Sequence, residues 1–355
     1  MNDHQHPVYR WFVAVWPTAG LIAPMGMLVA LVSLGNASLG TIGTGALVNL
    51  VMVVGLQTFW GNSGVLSFGH VAFVAVGAYS AALLTIPVTT RAFVLPHLPE
   101  LLANKETSFV VATVVAAVVA AVVAGLVALP MMRLSGTAAG IASFALLVVV
   151  QDIASNWSSV TGGLGTLTGV PTDLTLWRAY AWAVVVIVVA AVYSRSRFGK
   201  RLRASREDEV AALALGVKVV RERQVAFVLS GAMMGVGGSM YAHWLGAFGP
   251  TDFYIDLTRV ITVMLIIGGL RSLSGAVVGT VVMSVVVEVL NRWESGQSVA
   301  FVSIPVPIGF SNLLLSLVLV LILLRRPEGI TRSRELSWPG RKQDVSPAAN
   351  SVPGG

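Results

Sequence analysis

The chain contains no cysteine, and only 11% of its residues are charged. The missing thiols exclude disulfide bonds, thiol catalysis and thiolate metal sites together, although they do not fix the compartment. A soluble domain carries about 25% charged residues, whereas 55% of this chain is hydrophobic. We therefore predict an all-α, polytopic integral membrane protein.

Phosphate-binding and metal-binding motifs are also missing. The chain has no Gly-x-x-x-x-Gly-Lys-Ser/Thr loop, because the Gly199-Lys200 pair is followed by Arg201. It has no His-Glu-x-x-His helix, and its five histidines show no ligand spacing. We predict no catalytic residue, metal site or cofactor in this chain. The net charge of +7 lies beside apolar runs, which indicates membrane orientation and no nucleic-acid partner.

Apolar runs of the length that crosses a bilayer, about 20 residues, recur along most of the chain. We predict about ten transmembrane helices, with a range of eight to ten. They lie at residues 13–34, 41–60, 66–88, 109–132, 137–154, 179–193, 224–248, 254–270, 275–290 and 308–324. Asp256 and Arg259 shorten the run at 254–270, so a broken or re-entrant helix is expected there.

The distribution of lysine and arginine predicts the orientation. If residues 194–224 and the C-terminus face the cytoplasm, all but five of the 23 cations lie inside. The five are Arg91, Lys105, Arg178, Arg259 and Arg292. We therefore predict a cytoplasmic tail at 1–12, a membrane domain at 13–326 and a cytoplasmic tail at 327–355. The last is rich in Ser, Pro and Gly and is expected to be disordered.

Residues 194–224, called the charged segment below, hold the densest group of charges. Nine cations lie there: Arg195, Arg197, Lys200, Arg201, Arg203, Arg206, Lys218, Arg221 and Arg223. Membrane orientation explains these cations but not the acidic cluster Glu207, Asp208 and Glu209. The cluster indicates a contact surface for a soluble partner. A plain surface helix on the membrane is the alternative.

A short helix is predicted within the charged segment. Ser205, followed three residues later by Asp208, resembles a capping box, so the helix should begin near Arg206. Gly216 is well placed to end it. The spacing of the apolar residues predicts one apolar face, formed by Val210, Leu213, Ala214 and Val217.

Several motifs together resemble one family of membrane transport subunits. The run EVAA at residues 209–212, followed by Gly216, resembles the Glu-Ala-Ala loop of ABC importer membrane subunits. The run RFGKRLRASREDE at 197–209 is similar to the M-type permease of branched-chain amino acid importers. Further matches are LSFGHVAF at 66–73, GAY at 77–79, TGG at 161–163 with Gly165, YAH at 241–243, GGLRSLSG at 268–275 and RPEG at 326–329.

The resemblance implies a permease subunit of a binding-protein-dependent ABC importer in the bacterial plasma (inner) membrane. A second, H-type permease would pair with it, and two ATP-binding subunits holding ATP and Mg²⁺ would dock on the charged segments. A periplasmic or lipid-anchored binding protein would deliver the solute. The coupling helix implied by the resemblance contains Glu207, Asp208, Glu209, Ala211, Ala212 and Gly216.

The chain departs from the family pattern in two places. Gly61, Asn62 and Ser63 replace a turn that usually contains Gly and Tyr, and residues 137–140 lack the usual aromatic residue. Branched-chain amino acids, urea, short amides and aromatic acids therefore stay open as solutes.

Polar residues inside predicted spans are candidates for the translocation pathway, because burying them in a membrane is costly. We place the pathway at Asn62, Ser63, Ser67 and His70. Nearby and distant glycines are expected to break or thin helices around a cavity: Gly61, Gly64, Gly69, Gly77, Gly268, Gly269, Gly275 and Gly279. For residues 235–238, close helix packing is the alternative.

Two other classes of protein have sequence features in their favour. In an ion- or proton-coupled secondary carrier, Asp152 or Glu288 would titrate during transport. In a rhomboid-like intramembrane protease, Ser63 and His243 would share a proton. The predicted topology separates that serine and histidine by about 28 Å along a helix rising 1.5 Å per residue, which disfavours the protease.

Overall fold

The computed structural model describes residues 7–99 and 106–294, with side chains from residue 18, and scattered positions between 296 and 331. The long helices are α1 Pro7–Ser33, α2 Ala37–Ser63, α3 Val71–Thr85, α5 Phe109–Met131, α6 Gly136–Asn156, α8 Leu176–Arg195, α11 Val219–Leu245, α12 Ile255–Gly268 and α13 Leu273–Glu294. Shorter helices are α4 Val88–Val94, α7 Ser158–Thr161, α9 Arg197–Glu207 and α10 Glu209–Ala214. No strand longer than an isolated bridge between Leu167 and Phe248 occurs within these described ranges.

The fold confirms a polytopic all-α protein. Within the described residues, six helices, namely α2, α5, α6, α8, α11 and α13, are long and apolar enough to cross a membrane. The described part of α1 and helix α3 are shorter apolar helices. Each of the first nine predicted spans falls on a helix. Most of the tenth, residues 308–324, lies outside the described residues.

The predicted short span at 254–270 is a helix of 14 residues, α12, preceded by the 3-10 turn Pro250–Phe253. At 1.5 Å per residue, α12 is about 21 Å long, less than the hydrocarbon core of about 30 Å. Gly269 ends it with a φ of +125°. Helix α12 is therefore too short to cross the hydrocarbon core by itself, as the charges in the sequence indicated.

Helix α11 lies at the centre of the bundle, against α2, α3 and α5. Helix α5 turns a stripe of alanines toward it, spaced four residues apart and at most 1% exposed: Ala112, Ala116, Ala120, Ala124 and Ala128. Gly231 and Gly235 of α11 face this stripe and Gly238 faces α3, and a Cβ at Gly231 would lie 2.5 Å from the Ala124 Cβ. Small residues thus let three backbones approach closely. Close packing, the alternative for residues 235–238, is what the structure shows.

The helices alternate in direction, so the bundle has two distinct ends. The charged segment meets the end of α2, where Arg206 donates a hydrogen bond to the Gly61 carbonyl. At the opposite end, the His243 ring packs on Phe109 with centroids 4.8 Å apart. We call the first of these the charged end.

The C-terminal tail is described only at residues 329–331. The Ile330 amide donates to the Ile267 carbonyl at 2.8 Å, and the Thr331 hydroxyl donates to the Gly268 carbonyl at 2.8 Å. Ile330 and Thr331 thus contact the last turn of α12. The disordered tail predicted from residue 327 stays a prediction for the residues beyond 331, which lie outside the described ranges.

Candidate functional site

The charged segment folds into two helices with a break at Asp208. Its Oδ1 accepts a hydrogen bond from the Ala211 amide at 2.9 Å, so Asp208 is the N-cap of α10. The prediction that Ser205 caps this helix and that it begins near Arg206 was wrong. Ser196 caps α9, accepting from the Gly199 amide at 3.2 Å, so Ser205 lies in the last turn of α9. Its hydroxyl donates to the Leu202 carbonyl.

Gly216 ends the segment's second helix, as predicted. Its φ is +79°, and the Val217 amide behind it donates to the Ala212 carbonyl at 3.0 Å. A Cβ at Gly216 would meet no heavy atom within 4 Å. Glycine is therefore required here by the left-handed backbone and not by lack of space.

Helix α10 turns its larger apolar side chains away from the bundle. Val210 is 78% exposed, Leu213 is 55% exposed and Leu215, just after the helix, is 84% exposed. Ala212 faces inward and is 3% exposed. Three residues of the predicted apolar face, Val210, Leu213 and Ala214, are thus exposed within this chain. Together with exposed Glu207 and Asp208, they form a mixed apolar and acidic surface at the charged end.

Two arginines attach this surface to the bundle. Arg223 on α11, only 6% exposed, donates to Glu209 Oε2 at 2.8 Å. Arg206 donates both to Glu207 Oε1 and to the Gly61 carbonyl in the last turn of α2. The hydrogen bond and the positive charge of Arg206, followed by the charge of Arg271, lower the pKa of the exposed Glu207 carboxyl from its ordinary value. Sequence reasoning missed both arginines as attachments, since their partners lie far away in the chain or on the backbone.

We expect replacement of Asp208 by alanine to fray α10. Loss of an N-cap acceptor costs about 1 kcal/mol, which is roughly a fivefold drop in the population of the capped turn. Hydrogen exchange at residues 209–216, followed by mass spectrometry, should become faster by that factor. Asp208→Asn keeps an acceptor oxygen and is the matched control. Equal exchange rates in the two variants would contradict the assigned cap.

The four residues predicted to line the pathway are all buried. Asn62, Ser63, Ser67 and His70 are at most 4% exposed. Asn62 Nδ2 donates to the Thr58 carbonyl within α2, and Ser63 Oγ accepts from the Val65 amide. The structure brings Ser67 and His70 together, with 2.6 Å between Ser67 Oγ and His70 Nδ1.

His70 lies among aromatic rings inside the bundle. Its ring centroid is 5.1 Å from that of Phe59, 5.0 Å from that of Phe227 and 5.8 Å from that of Phe73. His70 ends a non-helical stretch that begins at Gly64, whose φ of +71° terminates α2. Non-helical backbone at this depth is tolerated where protein surrounds it. A role for these four residues in the pathway stays a prediction.

A polar pocket of about 450 Å³ opens beside Ser63 at the charged end. Of the four residues predicted to line the pathway, only Ser63 lines it. Its walls are the end of α2 with the following turn, the junction of α9 and α10, Arg223 of α11, the start of α6 and the turn between α12 and α13. The lining residues are Trp60, Gly61, Ser63, Gly64, Val65, Leu66, Ser135, Gly136, Ser205, Arg206, Glu209, Arg223, Leu270 and Arg271.

The geometry does not support the two alternative classes. Ser63 lies at the charged end, whereas His243 lies at the opposite end, where its Nδ1 is bonded to the Ser239 carbonyl. The two cannot share a proton, so the protease hypothesis fails. Asp152 is exposed on α6, and Glu288 is paired with Arg292 at 2.6 Å. Within the described ranges, no group of three histidines or carboxylates could hold a metal ion.

The structure thus defines a multi-pass membrane protein with a short, exposed helix attached to one end of its bundle. Residues 38–324 match the model of a protein family described as the permease component of branched-chain amino acid transport systems. The chain belongs to this family, as its motifs indicated.

Relatives of two types are similar to the chain. The high-affinity branched-chain amino acid transport system permease protein LivM of Salmonella typhimurium is 23% identical, over 84% of this chain and 71% of that protein. LivM of Escherichia coli is also 23% identical, over 87% of this chain and 74% of that protein. The corresponding LivH of Salmonella typhimurium is 22% identical, over 79% of this chain and 90% of that protein. No solved structure matches the chain.

Proposed function

We propose that the chain is the transmembrane permease subunit of a binding-protein-dependent ABC importer for branched-chain or related amino acids. It forms half of the translocation pathway and pairs with a second, H-type permease. Two ATP-binding subunits, which hold ATP and Mg²⁺, dock at the charged end. A periplasmic or lipid-anchored binding protein delivers solute to the opposite end.

The observation that carries this proposal is the exposed surface of α10. Val210, Leu213 and Leu215 are uncovered by the chain itself, while Asp208 and Gly216 fix both ends of the helix. A surface helix that only orients the chain needs neither a defined cap nor an acidic cluster. A helix that fits into a cleft of an ATPase needs both a fixed shape and an uncovered face.

The attachments supply a route by which movement of the ATPases reaches the membrane helices. Displacement of α10 acts on α11 through the Glu209–Arg223 ion pair. Displacement of the end of α9 acts on α2 through Arg206 and the Gly61 carbonyl. Because α11 packs tightly on α3 and α5, its tilt moves the central helices together, as a packed core does.

The proposed location is the bacterial inner membrane, with both termini and the charged end in the cytoplasm. Among the described cations, Arg133 and Arg271 lie at the charged end, while Arg91, Arg178, Arg259 and Arg292 lie toward the other. The densest positive charge is thus at one end, which the positive-inside rule assigns to the cytoplasm.

The test is reconstitution of the chain with the H-type permease, ATPases and binding proteins encoded beside it. We expect a complex with two ATPases, and we expect ATP hydrolysis to rise when a binding protein loaded with its amino acid is added. Each binding protein is assayed with and without each amino acid, so the stimulating pair identifies the solute. A chain that purifies alone and moves solute in liposomes under a proton or sodium gradient would replace this proposal with the secondary carrier.

A further inference from the structure

The pocket beside Ser63 is lined by charged side chains of both signs, and some of their polar atoms have no partner within the described residues. Arg271 makes no direct hydrogen bond or ion pair among the described residues, although its charge acts on the Glu207 carboxyl. Arg223 uses one nitrogen on Glu209, while its Nε is buried without any described partner. Glu209 is bound through Oε2, and its side chain is 43% exposed. The guanidinium of Arg271 is exposed and lines the pocket, so its free donors suit this wall to an additional acceptor.

The same pocket has an apolar side. Trp60, Val65, Leu66 and Leu270 line it together with the charged groups. Leu66 lies in the turn after α2 and is 44% exposed. The volume of about 450 Å³ lies within the range of small-molecule sites, about 300–1,000 Å³. The pocket therefore combines cations, one carboxylate and an apolar wall in the space of a small ligand.

We propose that this pocket binds an amino-acid zwitterion with an apolar side chain, on the side to which the importer releases its solute. Arg271 and Arg223 bind the ligand carboxylate, Glu209 binds its ammonium group, and the apolar wall accepts its side chain. The choice of ligand rests on the proposed function, whereas the site itself rests on the pocket. An inorganic anion would use the arginines but neither Glu209 nor the apolar wall.

Occupancy of the pocket has a consequence for coupling. Glu209 belongs to α10, and Arg271 belongs to the turn between α12 and α13. A ligand held between them ties the ATPase-facing helix to the membrane domain. A ligand that binds the conformation open to the release side better than the others shifts the population toward it. Accumulated product that holds the importer in that conformation slows its turnover from inside.

The first experiment measures equilibrium binding of L-leucine to the chain in nanodiscs, alone and in the assembled importer. Leucinamide lacks the carboxylate and isovalerate lacks the ammonium group. Each should bind at least about tenfold more weakly, which corresponds to one charge-assisted hydrogen bond. Inorganic phosphate should compete poorly. Phosphate competing as well as leucine would overturn the zwitterion site in favour of an anion site.

A variant pair assigns the site. Arg271→Gln should weaken leucine binding about tenfold, again the loss of one charge-assisted hydrogen bond. Arg221→Gln removes an exposed cation of the same end that does not line the pocket, and should leave leucine binding unchanged. In the importer, Arg271→Gln should raise the internal leucine concentration that halves ATP hydrolysis by the same factor. Equal leucine binding in the two variants would overturn the assignment.

This test separates failure of the site from failure of the proposed function. An importer that couples ATP hydrolysis to a loaded binding protein but binds no internal leucine overturns only this inference. A chain that assembles with no ATPase overturns the proposed function, while leucine binding to the chain alone still decides the pocket.

Discussion

Replacement of Ala212 by leucine is expected to weaken coupling between ATP hydrolysis and transport strongly while the chain stays in the membrane. Ala212 is the inward residue of α10 and is 3% exposed. Extra methylenes at a packed position cost about 1–3 kcal/mol. Helix α10 has only six residues, so the least costly response is for it to move away from the bundle. That shift corresponds to a roughly 5- to 150-fold loss of the docked arrangement.

The measurement compares stimulation of ATP hydrolysis by the loaded binding protein with the amount of chain in the membrane fraction. Ala204→Leu makes the same change on an exposed face of α9. This variant should retain both the stimulation of ATP hydrolysis and the amount of chain in the membrane. Coupling at the wild-type level in Ala212→Leu would contradict the role of α10. Loss of the chain from the membrane would instead show that Ala212 is needed for folding and not for the movement of a coupling helix.

The helical spans were predictable because hydropathy is a local property of the chain. A run such as residues 109–132 is apolar whatever it packs against, and it became α5. The end of α10 was predictable from one residue, since few residues other than glycine accept the φ of Gly216. The start of α10 was not predictable from its neighbours, because Ser196 caps an earlier helix that extends past Ser205.

Contacts between residues distant in the sequence could not be predicted from the residue pattern alone. The position of Arg223 in the sequence does not reveal that it binds Glu209, 14 residues away. Arg206 binds a backbone carbonyl, which leaves no trace in side-chain patterns. These two contacts determine how α10 is held, so the attachment of the candidate coupling helix emerged only from the fold.

The glycines separate into two roles that their sequence positions do not distinguish. Gly64 and Gly269 have positive φ and end helices, as expected. Gly275 and Gly279 were expected to break or thin a helix; both lie inside α13 and thin it without breaking it. A Cβ at Gly279 would lie 2.2 Å from the Met264 carbonyl oxygen, so this glycine allows α12 to approach. Composition alone does not separate these cases, because both use the absence of Cβ.

Replacement of Gly238 by alanine is expected to produce a large loss of stability. A Cβ at this position would lie 2.0 Å from the Val74 carbonyl oxygen and 2.8 Å from the Ala78 amide nitrogen. Both atoms belong to the backbone of α3, so no side-chain rotation relieves the overlap. Helices α3 and α11 must separate. We expect a cost at or above the upper end of the usual range for overpacking, about 3 kcal/mol.

Gly125→Ala is the matched control for that change. Gly125 also lies inside an apolar helix, α5, but its added Cβ would meet only the Val228 Cγ2 at 3.7 Å, an ordinary contact. Thermal unfolding of the detergent-solubilised chain, followed by size-exclusion chromatography, should show a clear loss for Gly238→Ala and none for Gly125→Ala. Equal stability of the two would mean that α3 and α11 are not in backbone contact. Arg223 lies on α11. Loss of tight packing between α3 and α11 would therefore also remove the route by which movement of α10 reaches the central helices.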